Sequence, residues 1–365
     1  MDLISAALLP LLHVHFGLHM ARAKCIAGLI AALIKVRTVN LVQLAIALPG
    51  GALKDSKYKR IQRLLRTFHI DFSSVALFIA GQLPYDKYLL TMDRTNWKFG
   101  ETNINILCLA IVHQGVAIPV LWTLLDKKGN SNTNERIQLI NRFIAIFGAE
   151  KIDGYLADRE FIGKTFVQYL IDNKIKFRIR IKHNMLISRA RSGTAPARNF
   201  FRNLTRGEYQ QLAGQRIIWG LTLSVSGARL ASGEYLIIIS PDASSAKEIL
   251  DDYKERWEIE TLFKALKSQG FNFEDTHLTD LDRIAKLMAL LAIALCWAHI
   301  MGEWLHEQKP IPIKSHRRPA ISIFRYGLDH LRGILLNITQ KLDAFYTAIA
   351  LFGPIREGPK THSTA

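Results

Sequence analysis

The sequence predicts an α/β fold with helical segments at both ends, and three observations predict it. Two short apolar stretches, Tyr88–Asp93 and the run up to Asp158, read as strands that each finish on a carboxylate. KFRIRIKHN alternates strictly, with Phe177, Ile179 and Ile181 on one side and Arg178, Arg180 and Lys182 on the other, which is the period of a strand with one apolar face. Asp251–Phe271 follows the last apolar strand and reads as one amphipathic helix stopped by Gly270. Carboxylates at the ends of neighbouring strands in such a sheet face one crevice.

Composition narrows the partners. The 365 residues carry 48 Lys and Arg against 31 Asp and Glu, a formal charge of +17. That balance suits a polyanion, either nucleic acid or an acidic membrane surface. Cys25, Cys108 and Cys296 are scattered without a CxxC pair, as expected of small buried hydrophobes in a reducing compartment. The N-terminus lacks the pattern of a signal peptide. Leu287–Ile300, about 14 residues, is short for a membrane span and reads as a buried helix. The expected setting is therefore the cytoplasm, with no membrane partner. There is no GxxxxGK[ST] and no GxGxxG, so use of ATP or nicotinamide is not expected. His113, His183 and His277 are isolated from one another, so a zinc site is not expected at any of them.

Taken in order, residues 1–82 read as a helical, basic, DNA-binding region. Pro49-Gly50-Gly51 punctuates it, and a helix follows in which Ile61, Leu64, Leu65 and Phe68 form the apolar stripe. Lys57, Arg60, Arg63 and Arg66 are expected to make its cationic surface. Residues 83–183 read as the first part of an α/β core. The segment after Asp93, RTNWKFGE, suits a turn beside a site, and Trp97 would line the groove of Asp93. Asn103–Leu125 is a hairpin turning at His113-Gln114-Gly115, Thr133–Phe147 is a helix, and Glu160–Asn173 is another. Residues 184–240 break the rhythm with Arg, Gly and Ser and read as a β-rich basic insertion. Residues 241–275 hold the amphipathic helix that completes that core. Residues 276–365 are a helical C-terminal region, with a long helix from Leu281 to Leu305, one or two more between Ser322 and Ala350, and a frayed last ten residues.

On the helix after the last strand, Tyr253, Arg256, Glu260, Lys264 and Lys267 fall within roughly 80° of arc at 100° per residue. Ile259, Leu262, Phe263 and Leu266 occupy the neighbouring sector and supply a core face. Asp93, Asp158 and Glu260 thus become candidates for one all-oxygen site, a donor set suited to magnesium or manganese.

YKERWEIETLFKALK, residues 253–267, fits the pattern Y-x2-R-x3-E-x6-K and resembles the signature of DDE transposases of the insertion-sequence-four type. MDRTNWKFG (92–100) is similar to the neighbourhood of that family's first catalytic aspartate, and LADREF (156–161) to that of the second. The resemblance covers roughly residues 85–275. It implies an RNase H-like, retroviral-integrase-like core: a mixed five-stranded sheet with flanking helices, a β-rich insertion, and helical N- and C-terminal regions. It implies that Asp93, Asp158 and Glu260 are the catalytic triad and bind Mg2+ or Mn2+, two ions per site. Tyr253, Arg256 and Lys267 would contact transposon-end phosphates, with Lys264 as a further backbone contact. In related enzymes an insertion-domain tryptophan stacks on a flipped base, and Trp219 is the candidate here. The implied activity is cleavage at transposon ends followed by joining of the 3′-hydroxyl ends to target DNA, by a homodimer assembled on double-stranded terminal inverted repeats, in the bacterial cytosol at the nucleoid. A metal-dependent nuclease without strand transfer, or a DNA-binding relic without activity, are the alternatives.

Overall fold

The structure is a computed structural model, and it describes residues 3–190, 192–242, 244–315 and 317–353. The expected fraying of the last ten residues lies outside the described residues. Five helices open the chain: α1 (Leu3–Phe16), α2 (Met20–Val36), α3 (Leu41–Ala47), α4 (Lys54–Thr67) and α5 (Phe72–Gly81). Side-chain caps fix three of their starts, that of α2 by His19 Nδ1, which accepts from the Ala21 N–H. Asn40 accepts from the N–H groups of Val42 and Gln43, and Asp71 from those of Ser73 and Ser74.

The sheet begins with β1 (Tyr88–Phe99), β2 (Thr102–His113) and β3 (Val116–Leu124), followed by α6 (Thr133–Phe147), β4 (Ile152–Ala157), α7 (Lys164–Asp172) and β5 (Phe177–Ile181). Next come the short strands β6 (Leu186–Ser188), β7 (Thr194–Pro196), β8 (Tyr209–Gln211) and β9 (Arg216–Ile218), then β10 (Leu221–Arg229) and β11 (Tyr235–Ser240). The chain ends through α8 (Ala246–Lys254), α9 (Glu258–Leu266), α10 (Leu281–Gln308), α11 (Ile323–Leu336) and α12 (Leu342–Leu351).

Strand order is β3-β2-β1-β4-β5-β11-β10-β8, with β9 also paired to β10, so the sheet has nine strands rather than five. β1, β4 and β5 run parallel, while β2, β3, β11, β10 and β8 join antiparallel to their neighbours. The reason for the larger sheet lies in residues 184–240. Ile237 to Ile239 of β11 pair with Ile179 to Ile181 of β5, so the end of this segment extends the sheet, and β6 and β7 alone form a separate pair. The fold is α/β, with a sheet wider than the expected five strands.

Three expected boundaries move. β1 does not stop at Asp93 but runs on to Phe99, because residues 94–99 pair with Thr102–Leu107 of β2; the expected turn beside the site is strand. α7 starts at Lys164, after a turn in which the Phe161 N–H reaches the Asp158 carbonyl at 2.9 Å. The single helix expected over 251–271 is α8, a 3-10 turn over Glu255–Trp257, and α9. The hairpin turn, by contrast, is as read: Gln114 (φ 47°) and Gly115 (φ 90°) both take left-handed backbone, the signature of a two-residue turn.

β2 is buried along most of its length and reads as a continuous apolar run, as strands covered on both faces do. α5, α6, α9 and α10 all pack on β3. α10 is long and apolar enough to cross a membrane, yet 94% of its most apolar window is buried within the fold. It meets α11 at a close crossing, where a Cβ on Gly302 or Gly327 would collide with the facing backbone. One cluster of buried residues runs from Ile4 to Phe352, so the terminal helices share the core of the sheet.

Candidate active site

β1 and β4 are parallel neighbours with Met92 opposite Ala157, which sets Asp93 and Asp158 side by side at one level of the sheet. Each aspartate is held in the same way: its Oδ1 accepts from the next residue's N–H, Arg94 or Arg159, at 2.7 Å. The broken helix then delivers three side chains. From α8, the Tyr253 hydroxyl donates to Asp158 Oδ1 at 3.4 Å. From the 3-10 turn, Arg256 places Nη2 at 2.9 Å from Glu260 Oε1 and Nη1 at 3.8 Å from Asp93 Oδ2. α9 carries Glu260.

The break in the helix matters here. A 3-10 turn advances about 120° per residue rather than 100°. It buries Arg256 (6% exposed) while leaving Trp257 at 57% exposed. The arginine's charge is the counterpart of the surrounding acids. Burial pushes the Asp93 carboxyl up to about 6, against smaller lowering effects from the Arg94 N–H and Arg256; Glu160 and Asp158 add to the rise. Burial also drives the Tyr253 phenol up, so it remains a donor. For Arg256, burial opposes the charge, but Tyr253, Glu260, Asp158 and Asp93 outweigh it and the guanidinium is held more firmly protonated.

A second network braces β1. Arg94 reaches Glu160 (3.3 Å), Asn105 (3.1 Å) and Asn130 (3.0 Å), and Asn105 in turn donates to the Lys127 and Gly129 carbonyls. Glu160 is therefore a partner of Arg94 and not a residue of the following helix. α9 is pinned from the other side by Glu258, whose two oxygens accept from the His113 and Gly115 N–H groups, each at 2.7 Å. Sequence patterning missed Glu258, since nothing in the chain order tells which carboxylate will meet a turn more than a hundred residues away.

The remaining candidates divide. Lys264 is exposed on α9. Lys267 caps the end of α9 and turns to Glu274 at 2.8 Å, with its ammonium 5.3 Å from the Trp97 ring centre. Trp97 packs against Phe273 at 5.0 Å. The expected phosphate contact and the expected groove residue thus meet each other. Trp219 takes left-handed backbone (φ 55°) in the turn between β9 and β10 and packs half-buried on the core. That strand pair lies four positions across the sheet from β1, roughly 19 Å at 4.8 Å per strand. The structure does not bring Trp219 to the carboxylates.

In the N-terminal region, Arg60, Arg63 and Arg66 are exposed, but Lys57 is not part of their surface. Its ammonium is buried and donates to the Leu48 carbonyl at 2.6 Å, tying α4 to the end of α3. Arg60 and Arg63 join Arg22 and Lys24 around a cleft of about 870 Å³.

Histidine positions also depart from expectation. His113 meets His299 and Glu303, and the donor atoms of the three lie within 4.8 Å of one another. Among the described residues this is the cluster of His, Cys, Asp and Glu that is compact enough to hold a metal ion as it stands. Asp93, Asp158 and Glu260 are spread more widely around Arg256.

The family described as the transposase DDE domain matches residues 84–297, more than half of the sequence. The chain belongs to that family. The match takes in β1 through most of α10, and with it Asp93, Asp158 and Glu260. A solved piggyBac transposase synaptic complex with hairpin DNA aligns with 99% of this chain and 84% of that one, at 12% identity and a TM-score of 0.43, too remote to inform the site. No curated protein matches the chain.

Proposed function

We propose that this DDE-family chain is a DNA transposase of the insertion-sequence-four type, which cuts at transposon ends and joins the 3′-hydroxyl ends to target DNA. The observation that carries the proposal is the meeting of Tyr253, Arg256 and Glu260, at the spacing of the signature, with Asp93 and Asp158. Three carboxylates from two strands and a helix form an all-oxygen donor set, and the raised Asp93 marks a buried acid whose ionised form needs a cation. Asp93, Asp158 and Glu260 would hold Mg2+ or Mn2+, two ions per site. Held there, the metal would supply Lewis-acid stabilisation of the attacking and departing oxygens.

The chain's own residues do the rest. Arg256 offers a fixed fork to a phosphate and is already set between Asp93 and Glu260. Tyr253, kept protonated, orients Asp158 and can donate to a sugar or phosphate oxygen. Lys264 adds an exposed charge on the same helix. Lys267 would have to exchange Glu274 for a phosphate. Trp257, which the spacing argument overlooked, presents an exposed ring at the same edge, of the kind on which unpaired bases stack. Arg22, Lys24, Arg60 and Arg63 supply a second cationic surface for terminal-repeat DNA. In this reading residues 1–82 bind DNA, residues 83–183 and 241–275 form the catalytic core, residues 184–240 are the insertion, and residues 276–365 support the core. The protein works in the bacterial cytosol on nucleoid DNA, as a homodimer once two ends are bound.

Labelled terminal-repeat DNA incubated with the protein and Mn2+ should yield cleaved ends and joined products. Glu260→Gln should bind the ends and leave them uncut. Cleavage without joining would favour a nuclease. A folded, DNA-binding protein that never cuts would overturn both readings and leave the inactive relic.

A further inference from the structure

The geometry points to a zinc site formed by His113, His299 and Glu303, separate from the catalytic carboxylates. His299 and Glu303 are one turn apart on α10, so both side chains leave the same face of that helix. His113 ends β2 and approaches them from the sheet. His113 Nε2 is 2.7 Å and His299 Nε2 is 3.5 Å from Glu303 Oε1, and the side chains are 1%, 1% and 10% exposed.

These contacts are close without being aligned as hydrogen bonds. His113 Nε2, both ring nitrogens of His299 and Glu303 Oε1 are buried without a hydrogen-bond partner. Leaving four such atoms unsatisfied in the interior is costly, and native folds rarely do so. A cation that accepts a lone pair from each would satisfy His113, Glu303 and one nitrogen of His299 at once.

The second partner of His113 supports the same conclusion. Its Nδ1 lies 2.8 Å from the Tyr85 hydroxyl. In the tautomer that donates Nδ1–H to that oxygen, Nε2 turns its lone pair toward the carboxylate, the arrangement a cation between them would select. Metal-bound histidines are commonly oriented by this kind of outer hydrogen bond. Two imidazoles and one carboxylate match the ligand sets of four-coordinate zinc, in which a water completes the shell. Bonds of about 2.0–2.2 Å in a tetrahedron put the donors roughly 3.4 Å apart, within reach of small side-chain rotations here.

The location argues for a brace. Asp93 pairs with Cys108, and His113 lies five residues further along β2, roughly 17 Å at 3.4 Å per residue. An ion there cannot share the work of the triad. It would tie β2 to α10 beside the His113 N–H that holds Glu258, and hence α9.

The test uses the untagged full-length protein, stripped with chelator and then dialysed with Zn2+. Elemental analysis should find one tightly held zinc per chain, and the melting temperature should rise on zinc addition. His299→Phe, which fills the space, and Glu303→Gln should each lose the zinc and the shift. Asp93→Asn should keep both, so failure of the catalytic assignment would leave this result untouched. Substitution with Co2+ should give the visible spectrum of a four-coordinate site in the wild type only. Substoichiometric zinc in the wild type with no thermal shift would overturn the proposal. So would full zinc retention in both His299→Phe and Glu303→Gln.

Discussion

Replacing Asp93 by Asn should make the protein more stable at neutral pH while abolishing cleavage. Burial raises the Asp93 carboxyl from 3.8 to about 6, so between those values the native state holds a proton that the unfolded chain has released. Stability from this group is therefore fully present below about pH 4 and is lost as pH rises through about 6. At about 1.4 kcal/mol per unit, a rise of roughly two units costs the ionised native state about 3 kcal/mol. Asn keeps the Oδ1 that accepts the Arg94 N–H and carries no charge. Its amide N–H groups need partners, an offset of about 1–2 kcal/mol; the attraction of Arg256 at 3.8 Å is already contained in the value of about 6. The net expectation is a gain of about 1–2 kcal/mol at pH 7–8 that shrinks toward zero or reverses near pH 4. Urea unfolding of wild type and variant in chelator, from pH 4 to pH 8, measures that difference, because every titration common to both cancels. A difference that stays flat with pH, or a variant less stable at pH 8 than at pH 4 relative to wild type, would refute the reasoning. Magnesium should then stabilise the wild type and leave the Asp93→Asn variant unmoved.

Glu258→Ala removes a carboxylate from two turn N–H groups and should cost about 2–3 kcal/mol in denaturant unfolding, with cleavage reduced more than end binding. Arg256→Ala leaves Asp93, Asp158 and Glu260 without their shared cation; gel-shift and cleavage assays should show both functions weakened, whereas Glu260→Gln loses cleavage alone. Arg63→Ala should weaken DNA binding at every sequence and reduce the slope of log affinity against log salt by about one, while Lys57→Met should leave that slope unchanged and act on stability instead.

What the sequence made legible follows from the range over which each signal acts. The strands, the 113–115 hairpin and the long α10 are written in local periodicity, and the neighbouring placement of Asp93 and Asp158 follows from two similar strands in parallel. The signature spacing predicted that Tyr253, Arg256 and Glu260 would share a site, but by the wrong geometry: one continuous helix face, where the chain uses a 3-10 turn to reach the same acids. The surface role given to Lys57 failed because helical periodicity says which residues share a face and nothing of a carbonyl waiting across a turn. Lys267 was assigned to a phosphate and Trp97 to the groove of Asp93 separately, and only the fold shows the ammonium over the Trp97 ring beside Glu274.

The same limit explains the two features no motif announced. Glu258 is two residues from Glu260, and on a helix that separation sends it to a different side. One glutamate therefore faces the carboxylate site while the other grips the β2–β3 turn, so the acid of the candidate site is positioned by one outside it. His299 and Glu303 form an i, i+4 pair whose third member arrives from β2, so a search for paired histidines passes over them. Because Glu258 holds the backbone of His113, and His113 faces Glu303, a displacement of α10 has a short route to α9. That route yields a discriminating expectation: Glu303→Gln should loosen the amide of His113 in hydrogen exchange before it alters Asp93, whereas Asp93→Asn should leave the His113 amide protected.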